Sequence, residues 1–75
     1  MTQNIYVEII GSRDDLWPVL ARHVHGMCFE IIEENSDPEH WPWEFNAGEV
    51  VFCEEIEFHE NEKGLVARRK CGVDE

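Results

Sequence analysis

Forty consecutive residues, 23–62, contain no lysine or arginine and hold twelve of the chain's seventeen acidic side chains. Isolated carboxylates are costly to bury, so any fold must leave these acids at the surface or supply cations from outside the segment. The formal net charge is −11, and the bases beyond residue 62 form a short group, Lys63, Arg68, Arg69 and Lys70. An acid excess of this size repels polyanions, and so small a basic run beside it makes a poor footprint on a phosphate backbone. No nucleic-acid partner is expected.

Seventy-five residues leave room for one small domain. Residues 1–71 are expected to form it, with 72–75 as a frayed tail. With 43% hydrophobic and 11% aromatic residues the chain is too apolar to be a disordered acidic tail. No apolar run approaches the roughly 18 residues needed to cross a bilayer. The opening residues lack the basic and apolar regions of a secretory signal, so a cytoplasmic location and no membrane partner are expected.

Residues 4–10 alternate, with Ile5, Val7 and Ile9 on one face, the period of a strand. Leu16, Trp17, Leu20 and Val24 then fall at helical spacing behind the candidate caps Asp14 and Asp15. This predicts a helix over 15–25, with Pro18 in its first turn and Gly26 as a left-handed stop. A second strand over 27–34 would turn Met27, Phe29 and Ile31 inward, and 35–40 reads as a loop. A third strand over 49–59 places Glu54 on the face of Val50, Phe52, Ile56 and Phe58. That placement requires either a bulge near Glu54 and Glu55 or a cationic partner for Glu54. A hairpin loop over 60–64 and a fourth strand over 65–71 would bring Arg68, Arg69 and Lys70 back against those acids. The expected fold is α+β: a small antiparallel sheet in the order β-α-β-β-β with one helix on one face, and a curled half-barrel as the near alternative.

Little in the chain suggests catalysis. Ser12 and Ser36 suit turns or caps, no spacing singles out a carboxylate pair, and no glycine-rich loop could cradle a phosphate. A non-enzyme without a cofactor is expected. Cys28, Cys53 and Cys71 form no Cys-x-x-Cys pair, and their odd number fits a reducing compartment. Cys28 and Cys53 read as buried thiols, Cys71 as exposed. His23, His25 and Cys28 are the one local ligand-like group. Both imidazoles also suit a helix C-terminus, and zinc held by His25, Cys28 and a distant carboxylate lacks a full ligand set, so no metal is expected.

The segment 37–45 draws most attention. Its aromatics alternate, which could send Trp43 and Phe45 into the core and leave Trp41 at the rim. Exposed aromatics framed by charges anchor many interfaces, and the candidate binding residues are Trp41, Trp43, Asp37, Glu39, Glu44, Glu33 and Glu34. The expected function is a non-catalytic acidic module, of inhibitor, immunity-like or adaptor type, that recognises a basic protein partner. The alternative is a structural or regulatory homodimer whose acids only solubilise it, and a metal-binding or enzymatic domain is the lesser one.

Overall fold

A computed structural model describes residues 2–59 and 61–71 and, within these, leaves aside the side chains of Ser12, Arg13, Asp14 and His59. Its elements are five strands: β1 (Thr2–Ile9), β2 (Ser12–His25), β3 (Cys28–Ile31), β4 (Val50–His59) and β5 (Glu62–Lys70). Each pairs antiparallel with the next, and a parallel contact at Tyr6 and Val66 joins β5 to β1, closing the sheet into a barrel in the order β1-β2-β3-β4-β5. The expected α+β fold is therefore corrected to all-β, closed rather than half-open, and no helix occurs among the described residues. It follows that no described helix is long and apolar enough to cross a membrane. Glu60, in the expected hairpin loop, and the expected frayed tail at 72–75 lie outside the described residues.

The predicted helix over 15–25 is strand β2. Its core contacts come from Val19 and Ala21, both fully buried, whose spacing of two is a strand period. Trp17, Leu20 and Val24, three of the four members of the apparent helical stripe, are instead 38–40% exposed. Pro18 also fits a strand here. It lies opposite Tyr6 of β1, while β3 pairs with β2 only from Ala21 onward, so a missing N–H at Pro18 interrupts no β2–β3 ladder. The residue before a proline is pushed towards extended backbone, which suits Trp17 in a strand and opposes a helix there. Gly26, at φ 54°, is the first of two residues linking the paired His25 and Cys28. A primed hairpin turn needs left-handed backbone at that position, as the end of a helix does one step further on.

The barrel interior is filled by Ile5, Val7 and Ile9 from β1, Val19 and Ala21 from β2, Phe29 and Ile31 from β3, Val51 and Cys53 from β4, and Ala67 from β5. Small and β-branched residues dominate, as a narrow barrel requires. β1 carries the inward face that its alternation predicts. β3 turns Phe29 and Ile31 inward as expected, but Met27 belongs to the turn and is exposed, and Cys28 is buried in its place.

In β4 the inward parity is Val51 and Cys53, opposite to the expected one. Glu54 consequently faces solvent, and the problem of its burial does not arise. It still has a cation: Arg68 Nε donates to Glu54 Oε1 at 2.9 Å, and Arg68 Nη1 to Glu8 Oε2 at 3.2 Å. One guanidinium thus ties β5 to strands on both sides of it, across the seam that closes the barrel. Arg69 lies over the Phe52 ring, 4.6 Å from its centroid, and Arg22 pairs with Glu30 across β2 and β3. No polar or charged residue is buried among the described residues.

Candidate functional site

The connection between β3 and β4, residues 32–49, crosses one end of the barrel and carries all seven predicted binding residues. It is fastened at three places. Ile10 N–H donates to the Pro42 carbonyl at 2.7 Å and Glu44 N–H to the Glu8 carbonyl at 2.9 Å, on either side of an isolated bridge between Ile9 and Trp43. Ile32 and Glu33 N–H both donate to the Leu20 carbonyl, and the Glu33 carboxylate accepts from Leu20 N–H at 2.8 Å. At the far end Gly48 N–H donates to the Ile31 carbonyl at 2.7 Å.

Between these anchors the segment 35–41 is bonded to itself. Asp37 N–H donates to Asn35 Oδ1 at 2.9 Å, an Asx-type turn, and Asn35 Nδ2 donates to the Trp41 carbonyl. Trp41 N–H donates to the Asp37 carbonyl at 2.9 Å, and the His40 ring meets the Asp37 carboxylate at 3.0 Å. The loop composition of this stretch therefore resolves into a compact, locally satisfied turn that fixes the backbone of Trp41.

The three aromatics of the segment share one parity but differ in depth. Trp43 and Phe45 are buried, at 3% and 8% exposure, and Trp41 is 43% exposed. Trp43 therefore cannot serve as a surface anchor and leaves the list of candidate contacts. Its Nε1 is buried without a hydrogen-bond partner among the described residues. Trp41 stacks on Trp17 of β2, with ring centroids 5.4 Å apart and planes 21° from parallel. Trp17 is itself 39% exposed, and Ile10, whose backbone is bonded to Pro42, is more exposed still. Sequence reasoning placed Trp17 on a helix and missed it as a site residue. The Trp17-Pro18 dipeptide was the available signal, since it favours extended backbone at the indole.

The acids divide as well. Glu34, Glu39 and Glu44 are exposed and Asp37 is half-buried against His40, while Glu33 is held on the edge of β2. The whole connection contains no lysine or arginine. Two basic side chains of β5 are engaged on the barrel wall, Arg68 between Glu8 and Glu54 and Arg69 on Phe52. The result is a stacked indole pair, about two-fifths exposed, where β2 meets an acidic connection with no lysine or arginine of its own.

Two further features lie apart from this surface. A shallow cleft of about 280 Å³ is lined by Tyr6, Leu16, Phe58 and Glu62. It presents one phenol and one carboxylate. Cys28 and Cys71 are joined as a disulfide with Cα atoms 5.9 Å apart, and Cys53 is a buried free thiol whose pKa burial pushes up to about 11. The expected trio of unpaired cysteines is thereby corrected to one bridge and one thiol. No protein-family model, curated protein or solved structure matches the chain.

Proposed function

We propose that this chain is a non-catalytic binding module that docks a basic protein partner on its 32–49 connection, with the Trp17 and Trp41 pair as the aromatic anchor. One observation carries the reading: two large indoles stack against each other at the surface, each about two-fifths exposed, where β2 meets an acidic connection that lacks any lysine or arginine. Stacked rings fixed by a self-bonded turn lose little conformational freedom on binding, and aromatic residues of this kind dominate interface energies. The surrounding carboxylates supply orientation and encounter rate for a cationic partner.

The test is a titration with a lysine- and arginine-rich peptide containing one aromatic residue, followed by indole fluorescence. Binding should weaken steeply as salt rises, and Trp41→Ala should weaken it at least tenfold. Affinity that ignores both salt and Trp41 overturns the proposal.

A second reading, a homodimer without a charge-specific partner, is favoured by the outward-facing Leu20 and Val24 of β2 and by the neighbouring exposed Met27 and Ile32. Light scattering separates the two. A monomer supports the first, and a dimer that buries the indoles supports the second. A cytoplasmic location remains a proposal, and the Cys28–Cys71 bridge weighs against it because disulfides persist mainly in oxidising compartments.

A further inference from the structure

We infer that His25, Cys28 and Cys71 form a redox-gated zinc site: with the bridge reduced, the two thiolates and the imidazole take up Zn²⁺ and leave a fourth position to solvent. The potential ligand atoms of the three residues lie within 4.8 Å of one another, two of them from the β2–β3 hairpin and the third from the residue after β5.

The fold assembles them by backbone geometry. His25 closes β2 and Cys28 opens β3, directly paired across the turn at Gly26 and Met27, so their side chains leave the same side of the hairpin. The β2–β3 register shifts between His23 and His25, which separates the two histidines along the strand. His23 is used elsewhere, its Nε2 at 2.9 Å from the Gly26 carbonyl and its ring against Phe29. The His25 ring is exposed and has no hydrogen bond among the described residues. Cys71 follows the last residue of β5 and is positioned by its N–H, which donates to the Val50 carbonyl at 2.8 Å. A distant carboxylate is not needed as the third ligand.

The donor set and its spacing suit zinc. Two thiolates and one imidazole with an open fourth position is a known catalytic-type zinc coordination, and the soft sulfurs disfavour magnesium and calcium. With Zn–S bonds of about 2.3 Å and tetrahedral angles, coordinated sulfurs stand about 3.8 Å apart, close to the contact distance of two unbonded sulfurs. Cleaving the bridge therefore relaxes Cys28 and Cys71 towards the spacing the metal requires. Two thiolates neutralise Zn²⁺, so the basic neighbours Arg69 and Lys70 meet a centre without net charge.

The chemistry balances in two steps. A dithiol reductant gives two electrons and two protons to the Cys28–Cys71 bond and leaves as its own disulfide. Zn²⁺ then displaces the two thiol protons to solvent as both Zn–S bonds form. The bridged and metal-bound forms exclude each other, because each uses the same sulfur electron pairs.

The experiment uses the whole chain, reduced anaerobically with a water-soluble phosphine and titrated with Co²⁺ as a spectroscopic probe, then with Zn²⁺. Reduced protein should show a thiolate-to-cobalt charge-transfer band and tetrahedral d–d bands that saturate at one metal per chain and vanish on adding Zn²⁺. The oxidised protein should show neither. His25→Ala should bind at least tenfold more weakly with altered d–d bands, while Cys53→Ala should bind like the parent. If the reduced, metal-free chain loses its barrel, Zn²⁺ should restore the β-sheet circular dichroism of the parent and fail to restore that of His25→Ala. Absence of the charge-transfer band, equal binding by His25→Ala, or equal binding by the oxidised protein overturns the inference.

Discussion

Trp41 lies ring on ring with Trp17, centroids 5.4 Å apart, so that a loop residue and a strand residue share one exposed aromatic face. Two positions on, Trp43 is buried at 3% exposure and belongs to the core cluster. The two neighbouring indoles therefore do different work, and mutation should separate them.

Trp43→Ala should destabilise the barrel by about 3–5 kcal/mol, the usual cost of emptying a buried indole site. Trp43→Phe should cost much less, because it retains most of the apolar volume and removes an Nε1 that is buried without a partner among the described residues. Trp41→Ala should leave stability within about 1 kcal/mol of the parent, since the side chain is 43% exposed. Urea denaturation of the three variants measures all of this. Equal losses at the two positions would contradict the division into core and surface.

Gly64 is required by close approach. A Cβ added there would overlap the Phe58 ring and sit 2.9 Å from Tyr6 Cε2, the two rings that meet edge to face at 5.0 Å. Gly64→Ala should cost about 1–3 kcal/mol by overpacking. Combining it with Phe58→Leu should give a loss smaller than the sum of the single changes, because the second substitution frees the space the first one needs. Thermal melts of the double-mutant cycle decide, and simple additivity would count against the contact.

The Cys28–Cys71 bridge closes a loop of 43 residues. Chain-entropy reasoning puts its contribution at up to about 4 kcal/mol, a large share of the stability of so small a domain. Reduction in the absence of metal should lower the thermal midpoint by ten degrees or more, at about 4–8 °C per kcal/mol for a domain of this size. Differential scanning calorimetry with and without reductant reads it. An unchanged midpoint would show that the bridge does not constrain the chain.

Cys53 links stability to alkaline pH. Burial raises its pKa from 9.0 to about 11, so the folded state favours the neutral thiol. That preference contributes fully below pH 9.0, the unfolded value, and is lost as pH rises from 9.0 through about 11. Cys53→Ala lacks the linkage. The midpoint of the parent should fall more steeply across that window than the midpoint of the variant, and parallel curves would mean that the thiol is not the titrating group. In the folded protein at neutral pH, Cys53 should also resist alkylation.

The sequence shows those parts of this fold where side-chain parity and burial agree. The alternation of Ile5, Val7 and Ile9 marks β1, and the expected placing of Trp43 and Phe45 in the core with Trp41 at the rim matches their burial, although the three share one parity. The return of β5 against β4 is legible in the acids and bases of the two segments. β2 was misread because Leu16, Trp17, Leu20 and Val24 form a helical stripe by spacing alone. Trp17, Leu20 and Val24 lie at the surface and belong to no core cluster, and the two small residues that do, Val19 and Ala21, are a weak signal. Gly26 strengthened the error, because one left-handed residue can end a helix or turn a hairpin. The parity of β4 could not be fixed locally, since both of its faces contain apolar residues. The meeting of Cys28 with Cys71 depends on the successive pairing of β3, β4 and β5, and nothing in residues 43 apart announces it.

The docking surface is tested most directly by following the three indole N–H signals in a two-dimensional NMR titration with the basic aromatic peptide. Trp17 and Trp41 should shift together and saturably, with Trp43 unmoved as an internal control, and the shifts should collapse at high salt. Shifts confined to Trp43, or none at Trp17 and Trp41 while the peptide binds, would place the partner elsewhere and contradict the account.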